Sequence, residues 1–572
     1  MSNSQAMYTH GNRRKQVDSS FEKKVTATNN SDSSFKHEKG STFDMFGLRG
    51  QPNSQEDQSN IHTVQKGVHA LATYLFRASV NVRDRGVVVA YDSESMSREL
   101  ALQSAKGLGA QGIKAYVFAD VQPKTLLSFA IRYVGAVAGI WISIDCEYGY
   151  RFHIYNEDGG QMIPEEAHAL SAFIEDDIEV DQVPQPDLEQ LMKSDLFQWV
   201  YEDIEQAYLE QLQHISKLDE HAFREQKNLQ ITYIPSHETT RYLVVQGLKQ
   251  FNFTHVKVVN RHVPFAREFP LIAPTNGEDQ LRFNPVSNCY QDADILLATD
   301  REAERLEVAI RSTTGEYIVL TSHQLGALLV DYLLAHSDLT VFKNPRLLQT
   351  VATTHLGRKI AHSYGVKTID TLTEFKYIGE KIRQFDETGE TFVFGFEECY
   401  GYLVGSFTRD RDAIQAAAIT CEMAHYWRQQ GKTLLDVLEM LYEKHGYYAE
   451  GTLSFTSDDA DGNVSIDHLM DNLRYNQFSE VAGSRIRMVE DYALSQRTFL
   501  EHDQTETIHL PKENIIKYEL EQHGWICVKP SPTNTELICY FGVDGMDREE
   551  TNKRLTMLKK DIEKHMQHVF TQ

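Results

Sequence analysis

Asp300, Glu302 and Glu304 stand at alternate positions of the stretch Asp300-Arg301-Glu302-Ala303-Glu304-Arg305. An extended backbone projects all three carboxylates to one side, whereas a helix puts Asp300 and Glu304 on one face and Glu302 on another. Three hard oxygens converging at a strand end have the chemistry to hold Mg²⁺. On this stretch alone the plainer reading is the commoner one: a solvated turn whose acids pair with Arg301 and Arg305. A second loop, Gly395-Phe396-Glu397-Glu398-Cys399-Tyr400-Gly401-Tyr402, sets two adjacent acids between glycines after an apolar run. Glu397 and Glu398 suit bidentate hydrogen bonding to sugar hydroxyls, or else they complement the dipole of a helix start. A third loop, Lys529-Pro530-Ser531-Pro532-Thr533-Asn534-Thr535, offers a cation and hydroxyls to a phosphate dianion. Such a cradle also uses free backbone N–H groups, and Pro532 removes one, so a polar turn between two strands is the alternative.

These loops need elements to carry them. Apolar runs predict strands at Gly86–Tyr91, Ile113–Phe118 and Gly139–Ile144, with helices through Leu108 and near Leu126–Tyr133. This βαβαβ rhythm predicts a parallel or mixed sheet covered by helices. Residues 187–216 read as one amphipathic helix crossing a domain boundary. Strands are expected at Leu229–Ile234, Val256–Asn260, Ile295–Leu297 and Tyr317–Leu320, and 261–292 reads as a long loop. Further strands are expected at Leu347–Thr353 and Thr391–Phe396, with helices near 355–364, 376–385, 411–430 and 433–445. The last unit shows strands Ile515–Leu520, Trp525–Val528 and Leu537–Phe541 and a charged helix 548–569. Open α/β sheets bind ligands at the carboxyl ends of their strands, so loops from several units are expected to converge on one cleft.

The length of 572 residues suggests about three to five domains. The expected division is a disordered tail at 1–40, then units at 41–205, 206–336, 337–485 and 495–572. The tail carries seven Lys/Arg against four Asp/Glu on a chain whose net charge is −25. So acidic a chain lacks the basic footprint of a nucleic-acid binder. Its six cysteines form no Cys-x-x-Cys pair and read as free thiols of a reducing compartment. The longest apolar-rich stretch, Val134–Ile144, is far short of the ~18 residues a membrane span needs. With no signal peptide at the start, a cytoplasmic location is expected.

The order of these loops resembles the α-D-phosphohexomutase family, in its bacterial phosphoglucomutase/phosphomannomutase branch. The densest match is Thr353–Ile382 (TTHLGRKIAHSYGVKTIDTLTEFKYIGEKI) continuing into Phe394–Tyr402. Tyr91-Asp92-Ser93 with Met96-Ser97, and Asn156–Gln161 (NEDGGQ), match as well, and the likeness runs from about 41 to 545. The resemblance implies a four-domain, heart-shaped α/β architecture, with three mixed α/β domains and a smaller C-terminal sheet-and-helix domain. It implies transfer of phosphate between the 1- and 6-positions of a hexose by way of a phosphoserine, with Mg²⁺ as cofactor and a hexose phosphate as ligand. Arg49, in Phe43–Gly50 (FDMFGLRG), and Arg305 fall on active-site cations of the family pattern. Glu397 and Glu398 fall on its sugar loop, Lys376 on a substrate-facing region, and Lys529, Ser531 and Thr533 on its phosphate loop.

The departures cluster at the chemistry. Where the family carries a TASHNP-like serine loop, this chain reads Ser143-Ile144-Asp145-Cys146-Glu147-Tyr148, with Asp145 at the serine position. Asp145 mimics the charge of a phosphoserine, or forms an aspartyl phosphate, or marks a site where transfer has ended. Asp300, Glu302 and Glu304 keep the spacing of three metal-binding aspartates. Two of them carry an extra methylene, about 1.5 Å of reach, against the ~2.1 Å octahedral shell that Mg²⁺ requires. A looser cation site, or none, follows from that length. Glu374 replaces a glycine, Cys399 a serine, Pro532 a glycine and Asn534 a glutamate; Glu536 adds a negative charge, and Glu94 stands where an arginine is usual. The fold-building segments match and the nucleophile, metal and phosphate loops do not. That distribution implies a mutase fold with impaired chemistry that binds a sugar phosphate or serves as a regulator, with a protein partner also open. The alternative is an active mutase with an atypical nucleophile and metal loop.

Overall fold

The computed structural model describes residues 41–44, 47–50, 57–94, 96–145, 149–173, 186–259, 282–283, 292–456, 465–475, 478–502, 504–531 and 536–571. The tail at 1–40, most of the expected loop 261–292, and Thr533 lie outside these residues, as do the side chains of Arg49 and Asp145.

Val87–Tyr91 is a run of five buried apolar residues, the pattern of a strand covered on both faces. It is the centre of the first sheet, paired in parallel with Ala115–Phe118 on one side and Ala138–Asp145 on the other. Gly149–Asn156 and Gly47–Gly50 extend the sheet antiparallel beyond Ala138–Asp145. Phe197–Val200 closes the opposite edge, in parallel with Ala115–Phe118. This strand corrects the expected helix at 187–216. The segment breaks into a short helix Leu188–Met192, the strand Phe197–Val200 and a helix Glu202–Gln213. Pairing with the sheet and the burial of Phe197 and Val200 override a weak helical period.

The second sheet has the order Arg282–Phe283, Tyr317–Leu320, Leu306–Arg311, Ile295–Thr299, Ile231–Pro235 and Val256–Val258. The third has the order Lys367–Thr371, Pro345–Thr350, Thr391–Phe396 and Tyr402–Leu403. The fourth has eight strands and is antiparallel at each pairing, from Tyr447–Thr456 through Glu536–Gly545, Gly524–Pro530, Ile516–Leu520 and Ser484–Asp491 to its far edge. It takes in Tyr447–Thr456 and Ser484–Asp491, upstream of residue 495. The helix Arg548–Thr571 packs on it through Leu555, Leu558, Ile562 and Met566. These are mixed α/β units with a sheet-and-helix C-terminal unit.

One hydrophobic core joins the first three units, with Phe129, Tyr208, Leu297, Phe396 and Ile414 among its members. The helix Ser322–Ala335 opens on a capping box in which Thr321 and Gln324 satisfy each other's backbone N–H groups. It is buried almost throughout and lies close on the Thr391–Phe396 strand, because Gly326 leaves room for the Phe396 ring: a Cβ there would come within 2.3 Å of it. The Ala-rich helix Ala413–Gln429 begins at Asp412, whose carboxylate accepts from the N–H groups of Ile414 and Gln415. The expected start at 411 is therefore two residues early, and Arg411 belongs to the preceding loop. No helix among the described residues is long and apolar enough to cross a membrane.

Candidate active site and its ion pairs

The strand Ile295–Thr299 delivers Asp300 at its carboxyl end, and the chain then turns through Ala303, a buried residue at φ 53. This turn is neither the helix nor the extended stretch considered from sequence. Asp300 Oδ1 accepts the N–H of Glu304 at 2.8 Å, so the first acid closes the turn on itself. Burial, together with the Glu304 and Glu302 carboxylates, pushes the Asp300 carboxyl up to about 7. Glu302 and Glu304 both face Lys124. Its Nζ lies 2.5 Å from Glu302 Oε2 and 3.3 Å from Glu304 Oε1. Burial works against the Glu304 carboxylate, but Lys124 and then Arg411 and Arg305 outweigh it and hold its pKa below the ordinary range. Of the two arginines that the plainer reading paired with these acids, Arg305 stays beside them, its charge acting on Asp300 and Glu304, and Arg301 goes elsewhere. Arg301 reaches across to the first unit, bonding Ser93 Oγ at 3.0 Å and Glu94 more closely still. Glu94, the acid in place of an arginine, thus finds its positive partner in the neighbouring loop.

Glu397 and Glu398 follow the strand Thr391–Phe396. Both are buried. Arg411 binds Glu397 in a fork, Nε to Oε1 at 2.5 Å and Nη2 to Oε2 at 3.2 Å, and its Nη1 lies 3.4 Å from Glu304 Oε2. One guanidinium therefore ties the acidic loop of the second unit to that of the third. Gly401 is required beside it, since a Cβ there would lie 2.5 Å from Glu397 Oε1 and 2.9 Å from Arg411 Cδ. Glu398 accepts from Thr350 Oγ1 at 2.5 Å, and burial plus the neighbouring Glu397 raises its pKa. Cys399 contacts the Tyr540 hydroxyl at 3.4 Å, and burial with the two flanking acids pushes its thiol up to about 11. Arg305 forms an antiparallel bridge with Gly401, and the N–H of Leu306 donates to the Tyr400 carbonyl at 3.1 Å.

The remaining cations are held in the same way. Lys376 is buried, with Nζ 2.6 Å from Glu374 Oε2. Glu374 holds φ 81 and ψ 133, a backbone that favours the glycine it replaces. Lys529, also buried, donates to Thr373 Oγ1 at 2.9 Å and so docks the fourth unit on the third. Ser531 Oγ accepts from the N–H of Glu536 at 3.1 Å. Asp145 ends the strand Ala138–Asp145 at the carboxyl edge of the first sheet. Arg49 lies in the strand Gly47–Gly50, opposite Arg151.

The structure thus brings Asp300, Glu302, Glu304, Arg305, Glu397 and Glu398 together. It adds two residues that sequence reasoning missed, Lys124 and Arg411. Lys124 follows Pro123 at the first position of the helix Lys124–Val134, two residues before the expected start. Arg411 sits in the alternating Arg409-Asp410-Arg411-Asp412 run, whose Asp412 N-cap was the available signal. The three candidate metal ligands fit Mg²⁺ poorly: one acid is bonded to its own turn and two share a lysine. Among the described residues, no three His, Cys, Asp or Glu side chains form a metal-binding group.

The acidic strand-end loops of the second and third units are thus joined to each other through Arg411 and to the first unit through Lys124. The model of phosphoglucomutase/phosphomannomutase α/β/α domain I matches residues 40–181, and that of domain III matches residues 321–445. The chain belongs to the α-D-phosphohexomutase family. It is 29% identical over 520 residues to a phosphoglucomutase of Staphylococcus haemolyticus (strain JCSC1435), covering 89% of this chain and 92% of that one. Its fold resembles the open form of parafusin, an exocytosis-sensitive phosphoprotein and phosphoglucomutase of Paramecium, with TM-score 0.63 and 13% identity over 92% of this chain and 95% of that chain. It also resembles a phosphoglucomutase/phosphomannomutase family protein of Burkholderia thailandensis, with TM-score 0.59 and 14% identity over 92% and 97% of the two chains.

Proposed function

We propose that this chain is a hexose-phosphate-binding member of its family in which phosphoryl transfer is impaired, a sugar-phosphate binder or regulator in carbohydrate metabolism. Asp145 carries the reading. It takes the place that the family pattern gives to the phosphorylated serine, and it has no hydroxyl on which a phosphate ester can form. Phosphoryl transfer depends on an in-line donor and on positioning, so losing the donor removes the step and leaves the cleft. The acids Glu397 and Glu398 and the cations Lys376, Arg305 and Lys529 support a retained sugar-phosphate cleft. Relatives named phosphoglucomutase support a hexose phosphate as the ligand class. The four described cysteines are unpaired thiols, which supports a cytoplasmic setting.

Isothermal titration with glucose 1-phosphate and glucose 6-phosphate, followed by incubation with glucose 1,6-bisphosphate and intact-mass measurement, tests the reading. Saturable binding of at least one hexose phosphate is expected, with no added phosphoryl mass and no interconversion. A stable phosphoprotein that interconverts the two phosphates, and loses this ability on Asp145→Ala, establishes the active-mutase alternative instead.

A further inference from the structure

Lys124 is in an unfavourable place for a lysine. It occupies the first position of a helix, where the backbone dipole presents positive charge, and its side chain is 9% exposed. A buried ammonium there needs negative partners to offset its lost hydration. Glu302 Oε2 at 2.5 Å and Glu304 Oε1 at 3.3 Å are those partners. They are also two of the three carboxylates that the family resemblance assigns to a divalent cation. The second oxygen of Glu304 faces Arg411, and Asp300 Oδ1 is held by the backbone N–H of Glu304.

The extra methylene of each glutamate now has a physical role. Read against Mg²⁺, the added reach is a defect. It lets Glu302 and Glu304 bond an ammonium carried by the first unit. The substitutions to glutamate and the lysine at 124 therefore make one arrangement, in which the chain supplies its own cation.

We propose that the Lys124 ammonium occupies the cation position of the acidic loop, bridging Glu302 and Glu304, so that the cleft is assembled without a divalent metal. The first and second units are joined through this bridge, and the loop holds its shape whether or not Mg²⁺ is present. The inference rests on the family assignment and not on sugar binding, so it stands or falls separately from the function proposed above.

The test is Mn²⁺ titration of the full chain, followed by electron paramagnetic resonance and without sugar, on the wild type, Lys124→Met and Lys124→Met/Glu302→Gln. The wild type is expected to show no stoichiometric Mn²⁺ binding. Lys124→Met is expected to bind one ion at least about tenfold more tightly, because a fixed positive charge beside the dication is gone. The double variant is expected to lose that site. If Lys124→Met folds only with Mn²⁺, as read by circular dichroism, the proposal is equally supported. Stoichiometric wild-type binding overturns it, as does a folded Lys124→Met with no gain in Mn²⁺ affinity. If Lys124→Met does not fold under any condition, the wild-type titration decides alone: the absence of stoichiometric binding upholds the proposal.

Discussion

Arg411 grips Glu397 through two of its nitrogens, and the carboxylate it holds is 1% exposed. The Glu397 carboxylate has no room to turn toward water. Removing the guanidinium leaves a buried carboxylate without its partner, a change that costs about 3–5 kcal/mol. Arg411→Met is therefore expected to lower the unfolding free energy by that amount, read as a lower urea midpoint at an unchanged m-value. Arg411→Lys, which keeps the charge and gives up the planar fork, is expected to fall between Met and wild type.

Glu374 makes a backbone prediction of the opposite kind. At φ 81 and ψ 133 it holds a conformation that costs a side-chain-bearing residue about 1–3 kcal/mol. Glu374→Gly and Glu374→Ala remove the same carboxylate from Lys376 and differ in their backbone freedom. The glycine variant is expected to be the more stable by about 1 kcal/mol, the reverse of the usual order, when both are unfolded in urea.

Glu307 sets a pH dependence. It sits 2% exposed on the strand Leu306–Arg311, and its Oε2 has no hydrogen-bond partner among the described residues. Burial pushes its carboxyl up to about 8; Arg305 pulls the other way and Asp300 adds to the rise. The folded state therefore keeps a proton that the unfolded chain gives up near the ordinary pKa of about 4.3. Its effect on stability is absent below that value, grows unfavourable by about 1.4 kcal/mol for each pH unit above it, and levels off once the pH passes about 8. Denaturation at about pH 5 and about pH 7 is expected to show wild type losing roughly 2–3 kcal/mol more than Glu307→Gln.

The two acidic loops are legible in the sequence because each follows a local signal, an apolar run that ends in a cluster of carboxylates. Ile295–Thr299 and Thr391–Phe396 are both strands of that kind. What holds the acids is not local. Lys124 and Arg411 reach Glu304 from segments far off in the chain, and neither residue stands out where it occurs. Arg301 is an obvious partner by spacing, yet it serves Glu94. The strand Phe197–Val200 is hidden for a related reason: its neighbour in the sheet, Ala115–Phe118, supplies a preference that its own residues do not express.

The bridge between Arg305 and Gly401, with the Leu306 N–H on the Tyr400 carbonyl, splices the acidic loop of one unit to the Glu397–Glu398 loop of the next by main-chain bonds. Side-chain contacts can be traded as a cleft breathes, but this splice cannot be without exposing peptide groups. The two loops therefore travel as a single jaw. Any opening that admits a ligand carries them together, and the Leu306 amide stays shielded from solvent hydrogen through each cycle.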